Sequence, residues 1–146
     1  MERNRRAFLR LALAAVATPA CSGGDGMSSA QTFGDVSAGN TSALAVGALK
    51  PISSAPAFIA RDDKGLYAMT TTCTHAGCDL ADSGRISGSQ IQCGCHGSVF
   101  DANGDVVQGP ARSPLQHFAV SVDASGEITV HGSETVAEDV RVTLPS

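Results

Sequence analysis

Four cysteines and two histidines crowd into two short segments, Cys73-Thr74-His75-Ala76-Gly77-Cys78 and Cys93-Gly94-Cys95-His96-Gly97-Ser98. Each segment offers thiols and one imidazole, and 17 residues separate His75 from Cys93. Thiolates and imidazoles are ligands for iron and zinc. Two thiolates can hold one iron of a 2Fe–2S cluster while two imidazoles hold the other. The same four groups would also satisfy a tetrahedral structural zinc, which leaves the two further cysteines unexplained. Those two, Cys78 and Cys95, could close a disulfide that ties the segments together. Over a loop of this length such a bridge stabilises by about 3 kcal/mol in the chain-entropy model, and it persists only in an oxidising compartment. A domain held by disulfides alone, with His75 and His96 incidental on its surface, is the remaining alternative.

The two segments resemble the paired boxes Cys-Thr-His-x-Gly-Cys and Cys-x-Cys-His-Gly-Ser of Rieske iron–sulfur proteins of the cytochrome bc type. Gly109-Pro110-Ala111 resembles the family's Pro-rich loop that covers the cluster, and the likeness runs from about Thr32 to the C-terminus. It implies one 2Fe–2S cluster with ligands Cys73, His75, Cys93 and His96, and a disulfide Cys78–Cys95. Dioxygenase-type Rieske domains lack that bridging pair, so the resemblance argues against an oxygenase partner. It also makes Ser98, Phe100, Gly109 and Pro110 cluster-tuning positions. Ser98 matches the family serine that hydrogen-bonds a cluster sulfide. Phe100 stands where high-potential members carry Tyr, which predicts a lower reduction potential here. In the family, an exposed ligand imidazole can release its proton when the cluster is oxidised, so an electron and a proton are taken from a hydroquinone together. The domain then swings on its tether to a cytochrome. Ala76 replaces a bulkier Leu, Gly94 a Pro, and Arg112 the second Pro of the covering loop, and these departures lie where a standard cytochrome b would dock.

The N-terminus reads as an export signal. Three of the first six residues are Arg, and an apolar stretch, Leu11 to Ala17, follows before Pro19. That stretch is far short of the ~20 apolar residues a membrane-spanning helix needs. Asn4-Arg5-Arg6-Ala7-Phe8-Leu9-Arg10 resembles the twin-arginine motif, whose pathway exports folded, cofactor-loaded proteins. Cys21, after Ala20, resembles the lipid-accepting cysteine of bacterial lipoproteins, with Thr18 where Leu is usual. Such an anchor holds a protein on a membrane without spanning it. Cleavage before Cys21 removes four arginines and one glutamate, leaving 6 basic against 13 acidic residues, a net charge of −7 instead of −4. Residues 1–21 are therefore read as signal and lipidation site, 22–31 as a Gly/Ser-rich flexible tether, and 32–146 as the folded domain.

The elements that must position the boxes read as all-β. Ala57–Ala60 and Leu66–Met69 flank Asp62-Asp63-Lys64-Gly65, and Val99–Phe100 and Val106–Val107 flank Ala102-Asn103-Gly104-Asp105, both hairpin signals. Phe118, Val120 and Val122 alternate with smaller residues, and Ile128 and Val130 follow Ala124-Ser125-Gly126. No segment sustains a helical period. A small antiparallel β-sandwich with an inserted cluster-binding subdomain of two loops is expected. Its 4% aromatic content implies a modest core in want of staples. The acidic balance excludes a basic nucleic-acid surface. His117 and His131 read as surface or strand-end residues, and Asp62, Asp63 and Asp105 as turn residues. No nucleophile–base pairing or phosphate loop is evident.

The expected role is electron transfer from a quinol-oxidising cytochrome b to a c-type cytochrome, outside the cytoplasmic membrane. The alternatives are the small relay subunit beside a molybdopterin large subunit, as in arsenite oxidase, and a structural zinc module.

Overall fold

A computed structural model describes residues 31–144. The signal segment, Cys21 and nearly all of the tether lie outside the described residues. The strands are β1 (Asp35–Asn40), β2 (Leu49–Ile52), β3 (Ala57–Arg61), β4 (Leu66–Thr70), β5 (Gly84–Ser87), β6 (Gln90–Cys93), β7 (Val99–Asp101), β8 (Val106–Gln108), β9 (His117–Val122) and β10 (Glu127–Val136). One short α-helix among the described residues, α1 (Leu80–Ser83), precedes β5, and a single 3-10 turn, Thr41–Ala43, follows β1. Ten strands make two antiparallel sheets: a six-stranded base in the order β1-β10-β9-β4-β3-β2 and a four-stranded sheet β5-β6-β7-β8. The second sheet is inserted between β4 and β9, so the expected subdomain of two loops is itself a small sheet carrying those loops. No helix among the described residues is long and apolar enough to cross a membrane.

Period-2 alternation places the core. β3 and β4 are buried almost throughout because both of their faces are covered. Phe58, Ala60, Tyr67 and Met69 face the inserted subdomain and pack with Leu80, Ile91, Phe100, Leu115 and the two cysteines Cys73 and Cys93. Ala57, Ile59, Leu66 and Ala68 face the other way and pack with Phe118, Ile128 and Val130. The cysteines thus grow out of the same hydrophobic cluster that joins the two sheets.

Aspartates cap the turns; of the three read as turn residues from sequence, Asp62 does so, and Asp101 and Asp123 do so without having been expected. Asp62 Oδ1 accepts from the N–H groups of Lys64 and Gly65, each at 2.9 Å. Asp101 Oδ1 accepts from Asn103 N–H and Asp105 N–H at 2.8 and 3.0 Å. Asp123 Oδ1 accepts from Ser125 N–H and Glu127 N–H at 2.8 and 3.0 Å.

The turn at Ala102–Asp105 is where the inserted subdomain is fastened to the base. Tyr67 Oη donates to the Ala102 carbonyl at 2.8 Å, and His117 Nε2 donates to the Asn103 carbonyl at 2.8 Å. Arg141 reaches the Asn103 side chain at 2.5 Å and Asp62 at 2.6 Å, and its guanidinium lies 3.8 Å from the centre of the Tyr67 ring. His117 stacks against the same ring at 5.7 Å. The expectation of a surface histidine at 117 is therefore wrong. The residue does begin a strand, but it sits opposite Met69 and is only 2% exposed. His131 lies within β10, on its outward surface, with its side chain 28% exposed.

Burial, with the Arg141 charge nearby, holds the His117 imidazole below its ordinary value of 6.5, and its Nδ1 has no partner. A base whose folded-state value is depressed favours the neutral form. Stability is therefore complete above pH 6.5 and falls as pH drops below it, by at most about 1.4 kcal/mol per pH unit. Urea unfolding of wild type and His117→Gln at pH 7.5 and 5.5 checks this. Wild type should lose more stability on acidification than the variant, and equal losses would refute the assignment.

Candidate metal centre

The two boxes fold into matching turns. In the first, the Cys73 carbonyl accepts from Gly77 N–H at 2.8 Å and Cys73 N–H donates to the Cys78 carbonyl at 2.8 Å. In the second, the Cys93 carbonyl accepts from Gly97 N–H at 3.0 Å and Cys93 N–H donates to the Ser98 carbonyl at 2.7 Å. Each box thus closes a tight turn from its first cysteine to a residue four further on. That residue is in the left-handed region in both, with φ +78° at Gly77 and +80° at Gly97, which explains glycine at both places.

The turns sort the side chains by chemistry. Cys73 and Cys93 point inward and are each 1% exposed, whereas His75 and His96 stand exposed. The imidazoles meet edge to face with ring centroids 4.8 Å apart. Burial pushes the Cys73 thiol up, and the adjoining Cys93 thiol adds to this, while the His75 N–H and the Ser98 hydroxyl oppose it. A thiol so placed is ionised by a cation brought to it. Two buried sulfurs and two outward imidazoles on one end of the fold are the donor set that a 2Fe–2S cluster with mixed ligation requires, so the residues present fit that group.

The second pair of cysteines is joined. Cys78 and Cys95 form a disulfide, with Cα atoms 6.6 Å apart and a sequence separation of 17. Cys73 and Cys93 are free thiols. The sulfurs of Cys78, Cys93 and Cys95 lie within 4.8 Å of one another. Two of the three are spent on the bridge, so that trio offers only one thiolate.

The surrounding contacts hold the loops in register. Asp79 caps α1 by accepting from Ala81 N–H at 2.9 Å, and Leu80 is buried. Gly94 N–H donates to the Ser83 carbonyl at 3.0 Å, and a Cβ there would lie 2.1 Å from that oxygen. A proline at 94 would lose this bond and collide, which accounts for the family departure at this position. Ser98 is fully buried, and its Oγ accepts from Ala111 N–H at 3.0 Å, leaving its own hydrogen for the Cys73 sulfur. Thr74 Oγ1 donates to the Ser113 carbonyl at 2.6 Å. The covering loop at Gly109–Ser113 is therefore bonded to both boxes. Phe100 is fully buried in the cluster of side chains that holds Cys73 and Cys93. Thr74, Ser83 and Asp79 were not singled out by the sequence reading; only Asp79 carried a signal, as a capping residue just before an apolar one.

Comparisons with known proteins agree with this geometry. Residues 34–119, more than half of the chain, match the model of the Rieske [2Fe-2S] domain. The cytochrome b6-f complex iron-sulfur subunit of Prochlorococcus marinus (strain MIT 9515) is 40% identical over 74 residues, covering 50% of this chain and 40% of the relative. The putative Rieske 2Fe-2S iron-sulfur protein YhfW of Bacillus subtilis is 40% identical over 87 residues, covering 59% of this chain and 16% of the relative. The chain thus spans well under half the length of these curated relatives. Among solved structures, the cyanobacterial plasma membrane Rieske protein PetC3 from Synechocystis PCC 6803 superposes with TM-score 0.51 and 29% identity, covering 65% of this chain and 97% of that one. A chain from the complex of reduced oxygenase and oxidized ferredoxin in carbazole 1,9a-dioxygenase gives TM-score 0.53 and 28% identity, covering 70% and 97%. The all-β fold, the paired boxes and the family match together place this chain in the Rieske [2Fe-2S] family, whose domain binds a 2Fe–2S cluster.

Proposed function

We propose that the chain holds its 2Fe–2S cluster through Cys73, Cys93, His75 and His96, accepts single electrons from a quinol, and passes them to a c-type cytochrome. The observation that supports this is the sorting of the two boxes: buried free thiols behind, exposed imidazoles in front. The cluster, when bound, supplies a one-electron acceptor. The protein supplies the rest. The exposed imidazoles of His75 and His96 stand where a quinol hydroxyl can hydrogen-bond to the ring nitrogen not engaged with metal, and that nitrogen can take up the hydroxyl proton. The covering loop, bonded to Thr74 and Ser98, ties the two boxes together, and the disulfide fastens them further.

In this reading the chain leaves the cytoplasm folded by the twin-arginine route and is held by a lipid on Cys21 at the outer face of the membrane, with 22–31 as its tether. A second reading, an electron-relay subunit beside a molybdopterin large subunit, is favoured by Ala76, Gly94 and Arg112, which alter the tip that would meet a cytochrome b. Purification of the full chain from its native membranes decides between them. A rhombic electron paramagnetic resonance signal that appears on reduction by a quinol and is bleached on oxidation by ferricytochrome c, with cytochrome b co-purifying, supports the first. A molybdopterin partner and no response to quinol would overturn it. Release of the protein into the soluble fraction by Cys21→Ser tests the anchor.

Phe100→Tyr carries the tuning proposal. A hydroxyl placed beside a ligand sulfur favours the reduced, more negative cluster by roughly 1 kcal/mol, which corresponds to a rise of about 40 mV for one electron. Redox titration should show that rise. An unchanged potential would leave Phe100 as core packing alone.

A further inference from the structure

Outside the cluster end, the strand register assembles a second set of chemical groups that the sequence spacing hides. β1, β10 and β9 are neighbours in the base sheet, with Asp35 opposite His131 and Ser121 opposite Thr129. Along β10 the inward Ile128, Val130 and Gly132 are buried, while Thr129, His131 and Ser133 face outward. His131 and Ser121 are thus diagonal neighbours on the outer face, close enough for long side chains to meet. They do meet: His131 Nδ1 lies 3.0 Å from Asp35 Oδ1, and His131 Nε2 lies 2.8 Å from Ser121 Oγ.

We propose that Asp35, His131 and Ser121 form a nucleophilic serine site that is acylated by small activated carboxylic esters. The carboxylate at Nδ1 selects the tautomer that carries its proton there. Nε2 is then a lone pair aimed at the Ser121 hydroxyl, the arrangement of an acid–histidine–serine triad, which is defined by geometry and not by fold. Ser121 Oγ attacks the ester carbonyl and passes its proton to His131 Nε2. The bond to the leaving alcohol breaks, and that alcohol takes the proton from Nε2. Water then attacks the acyl-serine, gives one proton to Nε2, and releases the carboxylic acid as that proton returns to Ser121. No electron is gained or lost.

The surroundings set the substrate class. The Asp35 and His131 side chains are 61% and 28% exposed, and Ser121 is exposed, so a small ester reaches the hydroxyl freely. The pairing of β9 with β10 spends backbone N–H groups on the ladder. The outward Thr129 is the register partner of Ser121, and its hydroxyl is one donor on the same face for a developing oxyanion. An enzyme short of one oxyanion donor loses roughly two to three orders of magnitude in rate. Only esters with a good leaving group should react.

The test treats the full-length, cluster-loaded protein with p-nitrophenyl acetate and, separately, with a fluorophosphonate, followed by intact mass measurement and peptide mapping. Wild type should take up one group, on Ser121. Ser121→Ala should abolish that adduct, and His131→Gln and Asp35→Asn should slow it at least about tenfold, with the cluster spectrum unchanged in all three. Labelling of other residues with Ser121 untouched, or a His131→Gln rate equal to wild type, would overturn the proposal.

Discussion

Cys73→Ser is expected to yield a folded chain without its 2Fe–2S cluster, with visible absorption and electron paramagnetic resonance amplitude reduced at least about tenfold. Cys73 is 1% exposed and belongs to the cluster of buried side chains that joins the two sheets. Its sulfur neighbours Cys93 and is approached by the Ser98 hydroxyl. Serine keeps the shape, so the fold should hold. Its hydroxyl ionises far less readily than a thiol, however, and a hard oxygen is a poor substitute in a sulfur-ligated iron site. The outcome is informative because Cys93 also lies within 4.8 Å of Cys78 and Cys95, a trio that could serve as ligands only if the Cys78–Cys95 bridge were opened. If Cys73→Ser kept a full cluster signal and Cys78→Ser lost it, the iron would sit on that trio and the proposed ligand set would be wrong. Far-ultraviolet circular dichroism separates loss of the cluster from loss of the fold.

Much of this was legible in the residues, for physical reasons that can be named. Asp62 announces a hairpin because a short carboxylate can satisfy the turn's own N–H groups, and it does so. The runs at β3 and β4 read as strands because sheet strands covered on both faces become continuously apolar. The disulfide followed from the family boxes. What stayed hidden depended on tertiary register. Helix α1 has four residues, too few to show a period. His117 looks like any strand-end histidine until Tyr67, Asn103 and Arg141 close around it. Asp35 and His131 are far apart in sequence, and only the pairing of β1 with β10 brings them to 3.0 Å. The loops around the centre, by contrast, are local turns, which is why a motif of a few residues could specify them.

Removing the bridge should separate stability from ligation. In Cys78→Ser/Cys95→Ser the chain loses a cross-link with a sequence separation of 17, worth about 3 kcal/mol in the chain-entropy model. For a domain of this size the thermal midpoint should fall on the order of 10 °C. The turns that aim the ligands do not depend on that bridge. Gly77 and Gly97 close them through backbone bonds to Cys73 and Cys93, and Ser98 ties the second box to Ala111. The double variant should therefore still bind its cluster at room temperature and lose it sooner on heating. Treatment of wild type with a thiol reductant should reproduce this behaviour, since Cys95 is exposed. Differential scanning calorimetry with parallel cluster absorbance checks both halves. An unchanged midpoint would mean that the backbone turns alone fix the two loops. Immediate cluster loss at room temperature would mean that the bridge, and not the backbone turns, holds the two ligand loops together.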